Sequence, residues 1–105
     1  MKKISPFALQ VYEYLTTIPK GKVVTYKQVA LAIGKPKACR AVGNALHNNP
    51  DGKKYPCFKV VNSKGQLAEN FGAVGGKETQ KKRLINDGVK VEGYQVDLNK
   101  YLFKE

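Results

Sequence analysis

The sequence predicts a mainly α-helical domain of the winged helix-turn-helix class with a small β-hairpin. The first observation is the length of 105 residues, which fits one domain spanning 1–105, with 42% hydrophobic residues to form a core. The second is a pair of short helix signals separated by Gly34, as in a helix-turn-helix. The third is a turn signal at 62–65 between two apolar segments, which predicts a hairpin in the position of a wing.

The first helix is predicted from its cap and its apolar stripe. Ser5 has the side chain of an N-cap residue, and Pro6 suits the first helical position. Apolar residues then recur at helical spacing until Pro19, which ends the helix. A turn around Gly21 and a short extended segment at 23–24 follow.

The next two helices form the predicted helix-turn-helix. A capping box at 25–28, with threonine first and glutamine three residues later, begins a helix over 26–33 that stops at Gly34. Pro36 then opens the third helix, which is predicted to run through about Asn48.

The second half of the chain mixes extended segments, a turn and one helix. In order, the sequence predicts an apolar segment at 56–61, the turn at 62–65, a glycine-containing loop at 69–76, a basic helix at 77–87 ended by Gly88, and an apolar segment with strand character at 89–98.

The charge of the chain indicates a polyanionic partner. It has 19 Lys and Arg against 8 Asp and Glu, a formal net charge of +11, and nucleic acid is the commonest polyanion. A basic, solvated surface is the alternative. The third helix combines small residues with cations, which suits close approach to a nucleic-acid backbone or, equally, tight helix packing. The candidate DNA-contacting residues are Lys35, Lys37, Ala38, Arg40, Ala41 and Gly43.

Cysteine and histidine usage argues against disulfide and metal chemistry. The two cysteines, Cys39 and Cys57, accompany no sign of secretion, so reduced thiols are expected. The single histidine, His47, has no ligand-like spacing to other metal-binding residues, so we expect no metal. No apolar run approaches the roughly 20 residues needed to cross a membrane. An intracellular protein, cytoplasmic or nuclear, is expected.

Cys57 has a suggestive local setting. Pro56 restricts the backbone before it, and Lys59 could favour the thiolate electrostatically. The alternative is a small buried hydrophobic residue, which is what a free cysteine usually is.

A set of ordered motifs adds to this setting. The segments Tyr26-Lys27-Gln28-Val29-Ala30, Arg40-Ala41-Val42-Gly43-Asn44-Ala45-Leu46, Asn48-Asn49-Pro50 and Pro56-Cys57-Phe58-Lys59-Val60-Val61 follow one another at short spacings. Together they closely resemble the C-terminal DNA-binding domain of the O6-alkylguanine-DNA alkyltransferases, from about Phe7 to the C-terminus. The family's N-terminal ribonuclease-H-like domain has no counterpart in these residues.

The resemblance implies binding in the minor groove of double-stranded DNA and rotation of an O6-alkylguanine out of the stack. It implies that Cys57 accepts the alkyl group, and that each protein molecule acts once and needs no cofactor. Arg40 matches the arginine that fills the vacated place in the duplex, and Tyr26 matches the tyrosine that donates a proton to the extruded guanine. Asn49 matches a hinge asparagine, and Asp87 stands where family members carry glutamate. The implied pocket residues are Phe58, Lys59, Val60, Phe71 and Gly72.

One departure leaves the reaction open. The family motif Pro-Cys-His-Arg is Pro56-Cys57-Phe58-Lys59 in this chain, and Phe58 cannot relay the thiol proton as the histidine does. The related alkyltransferase-like proteins generally replace the acceptor cysteine, bind O6-alkylguanine without repairing it and flag it for nucleotide excision repair. The sequence therefore predicts either a stoichiometric alkyltransferase or a lesion sensor, in both cases as a monomer. A winged-helix factor that reads DNA sequence is a more distant third reading.

Overall fold

The architecture was established from a computed structural model that describes residues 4–49, 54–68 and 76–104. These residues contain five α-helices, one 3₁₀ turn and two small ladders of two strands each. In chain order they are α1 (Pro6–Leu15), β1 (Val24–Thr25), α2 (Tyr26–Ala32), α3 (Cys39–His47), the 3₁₀ turn Cys57–Lys59, β2 (Val60–Val61), α4 (Lys77–Asn86), β3 (Val91–Glu92), β4 (Gln95–Val96) and α5 (Leu98–Tyr101).

The first two helices begin at the caps that the sequence predicts. The Ser5 hydroxyl accepts the Ala8 N–H at 3.1 Å, so the start of α1 is confirmed. At α2 the Thr25 hydroxyl accepts the Gln28 N–H at 3.1 Å, and the Gln28 side chain accepts the Thr25 N–H in return. Gly34 follows with φ +77°, a backbone conformation that favours glycine after a helix.

The third helix begins later than the sequence predicts. The expected start at Pro36 is wrong, because α3 begins at Cys39. The Ala38 N–H donates to the Lys35 carbonyl at 2.9 Å, so these residues close a separate turn between the helices. Ala38 is the N-cap residue and offers no side-chain cap. The helix-turn-helix arrangement of α2 and α3 is retained, with a longer connection.

The strands pair differently from the predicted wing. β2 runs parallel to β1, with Val24 opposite Val60, and the small antiparallel hairpin is formed by β3 and β4. The turn at 62–65 exists, but the chain after it lies along β4. Gly65 explains this pairing: a Cβ there would meet the Val96 carbonyl oxygen at 2.1 Å, so only glycine allows the two backbones to come this close. Across 62–65 the Asn62 N–H donates to the Gln66 carbonyl at 3.1 Å, but no ladder continues from this bond in the described residues, and Gln66 bridges to Gln95 instead.

Two hydrophobic cores flank the β1–β2 ladder. The first lies among α1, α2 and α3 and includes the buried Cys57. The second lies under α4 and the C-terminal hairpin and includes Val61 and Leu84. The Cys57–Lys59 turn therefore begins at one core and leads into β2, whose second residue belongs to the other. Within the described residues, no helix has the length and apolar character needed to span a membrane.

Candidate functional site

Cys57 begins the 3₁₀ turn and is nearly closed off from solvent. Only 9% of the residue is exposed, and its N–H donates to the Tyr55 carbonyl at 2.8 Å. The turn continues with the Lys59 N–H donating to the Pro56 carbonyl at 3.1 Å. This hydrogen-bonded turn holds the thiol at the edge of the first core.

The environment of the Cys57 thiol disfavours the thiolate overall. Burial raises the pKa of the thiol, while a hydrogen bond from the Asn49 side chain and the positive charge of Arg83 lower it in part. Asn49 also donates to the Tyr55 carbonyl at 2.8 Å, so its amide joins the end of α3 to the turn. This placement suits the hinge role that the resemblance implies.

Two tyrosines share the surroundings of Cys57. Burial, and then the negative form of the Cys57 thiol, raise the pKa of Tyr26, so its phenol keeps its proton and is a hydrogen-bond donor. Burial and the same thiol also raise the pKa of Tyr12, whose hydroxyl donates to the Ala45 carbonyl at 2.7 Å. Tyr12 is not among the residues that the sequence predicts for the site, although its position three residues before Leu15 places it on the buried face of α1.

Arg83 also contributes to the site without having been predicted from the sequence. It is partly buried on α4, and its charge acts on the Cys57 thiol. The available signal was its identity: Arg40 and Arg83 are the two arginines in a chain whose other cations are lysines. Arginine is the cation that most often stacks on aromatic or planar groups.

Lys59 does not act on the thiol in the way the sequence predicts. The residue is 4% exposed, and its ammonium group forms an ion pair with the Asp87 carboxylate. It also donates to the Pro19 carbonyl at 3.1 Å, and Asp87 accepts the Gly21 N–H at 3.0 Å. The buried charge of Lys59 is thus used to join the Cys57 turn to the turn before β1 and to the end of α4.

The exposed side of α3 carries the residues predicted to contact DNA. Arg40 and Ala41 are exposed, as are Lys35 and Lys37 in the turn before the helix, whereas Ala38 is half-buried. The opposite side of α3 is buried in the first core. Small residues on the buried side of α3 serve helix packing. Those on the exposed side, such as Ala41, are free of that role and are available for contact with a partner.

Gly43 strengthens the reading of α3 as a contact surface. A Cβ built at Gly43 would meet no atom within 4 Å among the described residues, so internal packing does not require glycine there. Free space around a helical glycine lets a partner backbone approach closely.

The other predicted pocket residues are less informative. Val60 is buried in β2 and Phe58 is half-buried, whereas Phe71 and Gly72 lie outside the described residues. Within the described ranges, no group of three or more His, Cys, Asp or Glu side chains could hold a metal ion.

Known proteins resemble this chain over nearly its whole length. The family model for the DNA-binding domain of 6-O-methylguanine DNA methyltransferase matches residues 6–89. A bifunctional methyltransferase/endonuclease of Picrophilus torridus is 40% identical over 92 residues, which are 88% of this chain and 30% of that relative. A DNA base-flipping protein of Vibrio parahaemolyticus is 39% identical over 98 residues, which are 90% of this chain and 93% of the relative.

Solved structures give the same result. S. pombe Atl1, crystallised with damaged DNA containing O6-carboxymethylguanine, superposes with a TM-score of 0.87 at 30% identity, covering 99% of this chain and 100% of that chain. Mycobacterium tuberculosis OGT in complex with DNA has a TM-score of 0.74 at 32% identity, covering 82% of this chain and 51% of that one. The sequence resemblance and the mainly helical fold are thereby confirmed: the chain belongs to the family of 6-O-methylguanine DNA methyltransferase DNA-binding domains.

Proposed function

We propose that this protein recognises O6-alkylguanine in double-stranded DNA by flipping the base, and transfers the alkyl group to Cys57. The observation that carries the proposal is the surrounding of the Cys57 thiol. An amide donor from Asn49, a phenol from Tyr26 and a cation from Arg83 act at one buried sulfur. The family of this chain is one of O6-alkylguanine repair.

The proposed contact with DNA uses the exposed side of α3. Arg40 enters the duplex from the minor groove and takes the place of the extruded guanine, while Lys35 and Lys37 contact phosphates. Flipping costs a few kcal/mol, which close backbone contact and the inserted side chain offset. The small residues Ala41 and Gly43 permit that close approach.

The proposed chemistry needs only groups of the chain. The Cys57 thiolate attacks the alkyl carbon, a C–S bond forms, and the bond between that carbon and guanine O6 breaks. The electron pair of the broken bond stays on the guanine, and a proton from the Tyr26 phenol neutralises it. The thiol proton leaves to solvent beforehand, and the Tyr26 phenolate regains a proton from solvent afterwards, so no net charge is left on the chain. The product is a stable thioether, so each chain acts once and uses no cofactor or metal.

A second candidate function is lesion recognition without transfer. Two observations favour it: burial raises the pKa of the Cys57 thiol, and Phe58 cannot accept its proton. In that case the bound protein, acting as a monomer in the DNA-containing compartment of the cell, marks the lesion for nucleotide excision repair proteins. Both candidates share the base-flipping step.

Intact-mass analysis after incubation with duplex DNA containing one O6-methylguanine separates the candidates. Transfer adds one methyl group per chain, and Cys57→Ser abolishes the addition while Cys39→Ser leaves it unchanged. A protein that binds the modified duplex more tightly than the unmodified one, but gains no methyl group, is a sensor. Equal affinity for both duplexes would contradict recognition of the lesion.

Arg40→Ala should weaken binding to the O6-methylguanine duplex by about tenfold or more, a loss of roughly 1.4 kcal/mol. Binding to undamaged duplex should change much less, because the inserted side chain stabilises the flipped state. Lys37→Ala is the matched control and should weaken both duplexes equally, since a phosphate contact carries no information about the base. Fluorescence anisotropy at fixed salt measures these affinities. An equal loss on both duplexes for Arg40→Ala would make Arg40 another phosphate contact.

A further inference from the structure

Gln80 is a buried polar side chain that neither the predicted site nor the proposed mechanism uses. It lies on α4 with 0% of its surface exposed. Its amide nitrogen donates to the Phe58 carbonyl at 3.1 Å and to the Val60 carbonyl at 3.0 Å. Its amide oxygen accepts the Ala68 N–H at 2.8 Å. A buried glutamine that bonds only backbone groups acts as a fixed link between chain segments.

One accepting carbonyl lies within the turn that carries the thiol, and the other lies directly after it. Phe58 immediately follows Cys57, and Val60 is the first residue of β2. The Ala68 N–H belongs to the segment that leads towards the residues assigned to the pocket wall. The Gln80 side chain therefore hydrogen-bonds both the Cys57 turn and Ala68, which precedes the predicted pocket residues in the sequence.

The same helix brings Arg83 to the thiol. Gln80 and Arg83 are three residues apart on α4 and therefore neighbours along one face. If the turn moved away from α4, the thiol would lose the charge of Arg83 and part of its burial together. The orientation of Cys57 thus depends on how firmly the turn is attached to this helix.

We propose that Gln80 is a positioning residue, which holds the Cys57 turn and its thiol against α4. The inference deepens the site of the proposed function, but it concerns the free protein and is tested without DNA. Gln80 acts through its two donated hydrogen bonds to the turn, whereas its accepted bond from Ala68 serves the neighbouring segment.

The test is the rate at which iodoacetamide alkylates Cys57, measured by peptide mapping of the full chain across a pH series. Cys39, which is exposed on α3, provides an internal reference in every sample. In Gln80→Met the side-chain volume remains but the hydrogen bonds are lost. We expect the ratio of the Cys57 rate to the Cys39 rate to rise by about fivefold or more, since fivefold corresponds to the loss of one hydrogen bond and Gln80→Met removes both bonds to the turn.

The pH profile supplies a second readout of the surroundings of the thiol. Repeating it in dilute urea separates local release of the turn, which denaturant barely changes, from global unfolding, which denaturant promotes. Burial raises the pKa of the native thiol, so its alkylation rises only at alkaline pH. When the turn is released in Gln80→Met, the profile should move down towards that of an exposed thiol, about 8.5. Thermal melting of each variant confirms that the alkylation is measured on folded protein.

Two charged variants separate the donor role from the acceptor role. Gln80→Lys keeps donors for the Phe58 and Val60 carbonyls but buries a charge, so its rate ratio should rise above that of the wild type and stay below that of Gln80→Glu. Gln80→Glu keeps only an acceptor for Ala68 and should behave like Gln80→Met. The matched control is Gln95→Met, which removes an exposed glutamine whose side chain donates to the Lys64 carbonyl at 2.8 Å.

The outcomes divide clearly. A raised ratio in Gln80→Met and Gln80→Glu, with a smaller rise in Gln80→Lys and a near-native ratio in Gln95→Met, supports the proposal. An unchanged or lower ratio in both Gln80→Met and Gln80→Glu overturns it, as does equal behaviour of the lysine and glutamate variants. If Gln80→Met fails to fold, the comparison of lysine with glutamate still decides. Failure to bind O6-alkylguanine would overturn the proposed function and leave this measurement intact.

Discussion

Lys59→Met is expected to lower the free energy of unfolding by about 3 kcal/mol, the lower end of the range for removing one partner of a buried ion pair. The variant leaves the Asp87 carboxylate without its cation, while the Pro19 carbonyl loses a donor. The lower end applies because 16% of the Asp87 side chain reaches solvent. In a thermal melt this loss corresponds to a decrease in Tm of roughly 12–24 °C.

The control for this variant is Lys64→Met, which changes an exposed lysine in the turn at 62–65 and should alter stability by less than about 0.5 kcal/mol. The double variant Lys59→Met with Asp87→Asn tests the cause. The amide removes the unpaired charge yet can still accept the Gly21 N–H, so the double variant should be more stable than Lys59→Met alone. If Lys59→Met melts like Lys64→Met, the ion pair does not hold the turn.

Phe58→His is expected to accelerate methyl transfer at neutral pH by about 10²-fold, the lower end for a positioned general base. Because burial raises the pKa of the Cys57 thiol, the wild type contains little thiolate near pH 7 and its rate should climb as the pH rises. Cys57 belongs to the first core and the Phe58 side chain packs against the second, so the new imidazole has to turn towards the thiol, directly or through a water, to accept its proton. Where it does so, the rate of the variant should depend less on pH.

The neighbours of position 58 limit this gain. The Lys59 ammonium lies 5.5 Å from the centre of the Phe58 ring. This positive charge disfavours a protonated imidazole at the same place, so the new histidine is a weaker base. Asp87 is already paired with Lys59, so it does not assist the new base as fully as the family glutamate would. The low end of the range follows from both contacts.

Single-turnover methyl transfer against pH checks the prediction, with Phe58→Gln as the matched control. Glutamine is polar but accepts no proton at these pH values, so it should not accelerate transfer. Methyl transfer by the wild type that is fast and independent of pH near neutrality would contradict the idea that deprotonation of the Cys57 thiol limits the rate. Absence of transfer by both proteins at every pH would favour the sensor.

The relation between sequence and structure differs along the chain. The starts of α1 and α2 were predictable, because Ser5 and Thr25 bond to N–H groups three residues away. The start of α3 was not, because Pro36 looks like a first helical residue until the turn between Lys35 and Ala38 is seen. The wing was mispaired because the signal at 62–65 shows a turn without showing which strand the chain meets next.

The site shows the same division. Motif order identified Cys57, Tyr26, Asn49 and Arg40, and the structure places Tyr26 and Asn49 near the Cys57 thiol. Their assigned roles stay predictions. Tyr12 and Arg83 went unnoticed, because the burial of a helix residue and the reach of a charge depend on what packs against them.

By itself, then, the sequence determined the helical class, the caps, the net charge of +11 and the motif set that carries the family resemblance. These features depend on residue identity or on neighbours a few positions apart. Only the tertiary structure decided what holds the thiol in place. Lys59 meets Asp87 across 28 positions, and Gln80 meets Phe58 across 22, so no local pattern encodes either contact. Both contacts exist because packing of α4 against the Cys57 turn brings buried polar groups together, where each must find a partner.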